Sequence, residues 1–111
     1  MPKATPEQLA TLDALADDLA ERGVAFERGQ MFGCPGFRAV GKGKFFATLW
    51  GGDLVFKLAE PELSQALALP DAEQFAPMPG RPMKEWVRVP PTNADQWPAL
   101  AHAAAAALPS V

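Results

Sequence analysis

The chain has very little of what most sites of chemistry need: one cysteine, Cys34, and one histidine, His102, in 111 residues. A single thiol excludes an internal disulfide and suits a reducing compartment. One Cys and one His cannot fill a tetrahedral metal site. A nucleophilic cysteine also needs a base and an orienting partner, and no other histidine competes for the role. No apolar run approaches the roughly 18 residues of a membrane helix, and the N-terminus lacks the apolar stretch of a signal peptide. Positive charge is scarce as well. Ten Lys and Arg stand against thirteen Asp and Glu, net −3, with no strong nucleic-acid footprint in the total. These absences predict a soluble, cytoplasmic protein with no catalytic set, no metal, no cofactor and no membrane partner. Twelve prolines and abundant alanine fit a GC-rich bacterial genome.

The length suits one domain over 1–111, large enough to bury a core without staples. Its charge is unevenly placed. Residues 1–27 hold two bases and six acids, net −4, and residues 58–111 hold three bases and six acids, net −3. Residues 28–57 hold Arg28, Arg38, Lys42, Lys44 and Lys57 against Asp53 alone, net +4. The middle third is a basic block inside an acidic protein.

Periodicity organises the chain. Thr5 to Arg22 reads as an amphipathic helix, with Thr5 as N-cap, Pro6 at the first position, Glu7 in the first turn and Gly23 as the stop. Leu9, Leu12, Leu15 and Leu19 recur at helical spacing, opposite Asp13, Asp17 and Glu21. Strands are predicted over 37–40, 44–50 and 53–58, joined by Gly41-Lys42-Gly43 and by the hairpin turn Gly51-Gly52. A short helix over 60–68 begins at Pro61, 71–83 reads as an extended proline-rich loop, 85–89 as a fourth strand and 98–108 as a last helix. Trp97, Leu100, Ala101, Ala104 and Leu108 mark the inner side of that helix. The expected fold is α+β: an antiparallel meander of about four strands packed against N- and C-terminal helices.

Cross-strand pairing fixes the expected register. The Gly-Gly turn pairs Trp50 with Asp53, Leu49 with Leu54, Ala47 with Phe56 and Phe45 with Leu58. The first loop pairs Val40 with Lys44, Ala39 with Phe45 and Phe37 with Ala47. One face then holds Phe37, Ala39, Phe45, Ala47, Leu49, Leu54, Phe56 and Leu58, all apolar. The reverse holds Arg38, Val40, Lys44, Phe46, Thr48, Trp50, Asp53, Val55 and Lys57.

Two tempting motifs dissolve on inspection. Gly36 to Gly43 comes close to a phosphate-binding loop, but Gly43 replaces the Mg²⁺-binding hydroxyl and a strand follows instead of a helix. The segment is a hairpin turn. Gly33-Cys34-Pro35-Gly36 reads as a tight loop, its cysteine a small buried thiol and His102 a solvent-facing imidazole.

The mixed sheet face carries the functional argument. Its candidate interaction residues are Arg38, Lys42, Lys44, Phe46, Trp50, Val55 and Lys57. Three readings fit. The last helix or the proline-rich loop covers the aromatics, with lysine stems along the edge. The face is a protein interface with aromatic anchors and a charged rim, for a partner or a second copy. Or it binds single-stranded nucleic acid by stacking and phosphate contact, helped by Arg81, Lys84 and Arg88.

Three segments carry a family resemblance: Met31-Phe32-Gly33, then GKGKFFATLWGGDLVFKL over 41–58, then MKEWVRVP over 83–90 ahead of an alanine-rich helix. In this order they resemble the N-terminal domain of the TfoX/Sxy bacterial competence regulators and the related YjbR/MmcQ domains, over nearly the whole chain. Two positions depart from that pattern. Gly29-Gln30 stand where the family tends to have bases, and Cys34 stands where it tends to have a second glycine. The resemblance implies an α+β fold and a regulatory association. It implies no catalytic residues.

Overall fold

A computed structural model of the chain describes residues 5–31, 34–40, 44–50, 52–76 and 85–107. The first helix, α1 (Pro6–Glu21), starts where its capping chemistry places it. The Thr5 hydroxyl accepts from the Gln8 N–H at 3.1 Å and the Gln8 side chain accepts from the Thr5 N–H at 2.9 Å, a reciprocal capping box. The helix ends at Arg22, and Gly23 takes the left-handed φ of +82°. Leu12, Leu15 and Leu19 are its buried stripe.

Six antiparallel strands follow: β1 (Phe26–Met31), β2 (Cys34–Ala39), β3 (Phe45–Trp50), β4 (Asp53–Lys57), β5 (Glu73–Gln74) and β6 (Trp86–Val89). Their spatial order is β1-β2-β3-β4-β6-β5, so β6 lies beside β4 and the short β5 forms an edge. Between β4 and β5 lies α2 (Glu62–Leu67), and after β6 come a 3-10 helix (Pro91–Gln96) and α3 (Trp97–Ala107). The α+β class, antiparallel sheet and terminal helices match the expectation. The count of about four strands does not.

The two extra strands escaped the sequence for a physical reason. β1 is an edge strand with the sequence FERGQM, and β5 is an exposed Glu-Gln pair, so neither shows the apolar alternation of a half-buried strand. β2 begins three residues before the predicted 37, so Cys34-Pro35-Gly36 is strand and not tight loop. Val40 lies in the turn, half exposed. The Gly41–Gly43 connection, Gly51, the 77–83 segment and Leu108 fall outside the described residues.

The second hairpin keeps its expected register, with Trp50 opposite Asp53, Leu49 opposite Leu54 and Ala47 opposite Phe56. The first departs from it. Phe37 lies opposite Ala47, but Arg38 lies opposite Phe45, so β3 carries a bulge at Phe46. Phe46 therefore turns into the helix-side core, fully buried, with its ring 6.2 Å from that of Phe37. Phe45 turns to the reverse face. There its ring lies over Gly29, where a Cβ would stand 3.1 Å from Phe45 Cζ. The missing side chain at Gly29 makes room for the ring, and the bulge lets both phenylalanines find apolar neighbours. The predicted facing of Phe45 and Phe46 is thus reversed.

The main core joins Phe37, Phe46, Ala47, Leu49, Leu54, Phe56, Leu58, Val87 and Val89 from the sheet to Leu12, Leu15, Leu19, Ala66, Trp97, Ala101 and Ala104 from the helices. Arg28 fastens the β1 edge to this layer. Its Nη1 donates to Asp13 Oδ1 at 2.8 Å, and its guanidinium lies 5.6 Å from the Phe37 ring centroid.

Candidate interaction surface

Across the sheet, the reverse face divides into two halves. On the β4–β6 side, Val55, Phe75 and Trp86 form a second buried cluster, with Phe45 and Trp50 packed against it. Trp50 and Phe75 meet edge to face at 4.9 Å. Phe75 follows β5 and is pinned there by its N–H, which donates to the Trp86 carbonyl. An aromatic from the proline-rich segment therefore closes over Val55, as the covering reading anticipated for that loop. Arg88 lies on the same face opposite Val55 and donates to Asp53 from Nε, with Glu73 3.7 Å from its Nη1.

The β1–β3 half is more open. Arg38 keeps 40% of its side chain exposed while its Nε lies 3.3 Å from Glu27 of β1. Lys44 is exposed, and Phe45 and Lys57 are half-buried. Neither Lys44 nor Lys57 forms an ion pair among the described residues. Of the predicted contact residues, Arg38, Trp50 and Lys57 share this face at partial exposure, whereas the bulge sets the exposed Lys44 opposite Ala39, on the helix side by alternation. Phe46 has left it through the bulge, Val55 is fully covered, and Lys42 lies outside the described residues. Phe45 and Phe75 are the members that sequence reasoning missed. The signal for Phe75 was a lone phenylalanine in a segment otherwise rich in proline.

Within the β1–β3 half runs a tight strand contact. Gly36 of β2 lies opposite Thr48 of β3, and the buried Thr48 hydroxyl donates to the Pro35 carbonyl at 3.1 Å. Cys34 shares this side of β2 by alternation and is buried. Burial pushes its thiol above the ordinary cysteine range. His102 is exposed on α3, in the helical layer, so the fold does not bring the two together. Among the described residues, no three His, Cys, Asp or Glu side chains converge as metal ligands. No described helix is long and apolar enough to cross a membrane.

Charge also separates by layer. The described helical segments α1, α2, the 3-10 helix and α3 hold seven acids (Glu7, Asp13, Asp17, Asp18, Glu21, Glu62 and Asp95) and no Lys or Arg. The strands hold four bases against three acids. Of the basic middle, Arg38 and Lys57 lie on the reverse face while Arg28 turns to Asp13 of α1, so the sheet is close to neutral and the helical layer is acidic.

Comparison with protein-family models, with curated proteins and with solved structures finds no match to this chain.

Proposed function

We propose that this chain is a non-enzymatic regulatory domain of the bacterial cytoplasm that works by contacting protein, a second copy of itself included, in the manner its TfoX resemblance implies. The observation that carries the reading is the open half of the reverse face beside the β1 edge. There Arg38 and Phe45 combine partial exposure, positive charge and an aromatic anchor, the composition of an interface core and rim. β1 supports it further: six residues in unbroken register with β2, and no described strand on their outer side. An edge of that length is a template for strand addition.

Light scattering over a concentration series tests self-contact. The expected result is a mass that rises from monomer toward dimer, and falls back in the variant R38E. A strict monomer at millimolar chain, with R38E indistinguishable from wild type, contradicts it.

Nucleic-acid binding is the second reading, favoured by the unpaired Lys44 and Lys57. It has few free cations to work with, because Arg38 and Arg88 already face carboxylates on the same surface. It predicts weak affinity that falls steeply with salt. Absence of binding to labelled single- or double-stranded DNA at low salt removes it.

A further inference from the structure

On the opposite layer, two adjoining cavities of about 220 and 340 Å³ share Thr11, Ala94 and Trp97. Together they form a groove between α1 and the Pro91–Pro98 segment. Its α1 wall runs from Glu7 through Thr11 and Ala14 to Asp18, a rise of roughly 16 Å, or three helical turns. Ala14 and Ala94 are both exposed, so the walls are low and admit another backbone closely. Trp97, only 4% exposed, lies at its base, and no described residue accepts from its buried indole N–H. A carboxylate stands at each end and no Lys or Arg among the described residues lines the groove. Asp18 pairs with Arg22 one turn on, whereas Glu7 has no ion pair among the described residues.

We propose that this groove docks a cationic amphipathic helix of a partner protein. Its small apolar side lies over Ala14, Ala94 and Trp97, and Lys or Arg side chains three turns apart reach Glu7 and Asp18. The sign of the lining chooses the guest. An acidic peptide or a nucleic acid would meet mainly like charge from a layer whose described helices hold seven acids and no base, with Arg22 and Arg28 already paired to Asp18 and Asp13. The groove's length chooses a helix, because charged ends three turns apart on α1 match the same spacing on a guest lying alongside it. This site is on the other layer from the surface proposed above and stands or falls separately from it.

The test is a ¹⁵N NMR titration of the whole chain with a synthetic helical peptide of about twelve residues, leucine on one stripe and lysine on the other. A leucine/glutamate peptide of the same pattern serves as control. The expected shifts centre on the Thr11, Ala14 and Ala94 amides and the Trp97 indole N–H, and they weaken with added salt. A14R and A94R, at exposed positions that fold readily, each weaken binding about tenfold or more by filling the groove with a cation. Four outcomes overturn the proposal: shifts spread evenly over the acidic surface, shifts on the reverse sheet face instead, equal binding of the glutamate peptide, or full binding by both variants. Groove resonances that move on dilution without any peptide also overturn it, because a second copy would then be the occupant.

Discussion

Gly36 faces Thr48 so closely that a Cβ on Gly36 would stand 2.8 Å from Thr48 Oγ1 and 2.5 Å from the Ala47 carbonyl oxygen. Neither neighbour can retreat, since one is strand backbone and the other holds the Pro35 carbonyl. G36A is expected to lose roughly 1–3 kcal/mol by overpacking. G52A serves as the control, because the nearest atom to its Cβ, the far end of the Gln8 side chain, is 3.8 Å away. Urea denaturation of both variants checks it, and equal midpoints contradict the close approach.

The bulge makes a prediction opposite to that of an unbroken hairpin. F46A should lose about 3–5 kcal/mol, as a fully buried phenylalanine does, and F45A clearly less. Equilibrium unfolding ranks the two. The reverse order would place Phe45 in the main core and remove the bulge.

These two aromatics also show how far the sequence could be read. The capped first helix, the antiparallel class and the β3–β4 register from Trp50–Asp53 to Ala47–Phe56 were legible because their signals are local: a cap, a Gly-Gly turn, alternating apolar residues. The facing of Phe45 and Phe46 was not, because it depends on Gly29, a residue of a strand with almost no pattern of its own. The candidate surface was legible by composition and not by exposure. Arg38 and Lys57 are where the pairing put them, yet the bulge moves Lys44 opposite Ala39, and Val55 is closed off by Phe75, twenty residues further along the chain.

Glu60 gives a pH signature. The Ser64 hydroxyl donates to its carboxylate at 2.8 Å and the Ser64 N–H at 2.9 Å, and these bonds, the hydroxyl's first, hold the carboxyl below its ordinary range. A carboxyl depressed in the fold contributes stability that is complete above its unfolded pKa and is lost as pH falls through the folded value. S64A is expected to raise the Glu60 pKa toward that of a free glutamate. An NMR pH titration reads this directly, and an unmoved titration contradicts the assignment.

Cys34 has the opposite sign. Burial raises its pKa, so the unfolded thiol ionises first and stability declines as pH rises above the ordinary cysteine range. A thiol reagent at neutral pH should label the folded chain far more slowly than the urea-unfolded chain. Comparable rates would place Cys34 at the surface.

The contact reading turns on the outer edge of β1, which no described strand covers, and amide hydrogen exchange at low and high chain concentration tests it most directly. The prediction is that Phe26–Met31 amides slow as concentration rises, along with those around Arg38 and Phe45, while β5 at the other edge stays constant. Exchange along β1 that is the same at every concentration, with the reverse-face amides equally unmoved, would contradict self-contact through this half of the sheet.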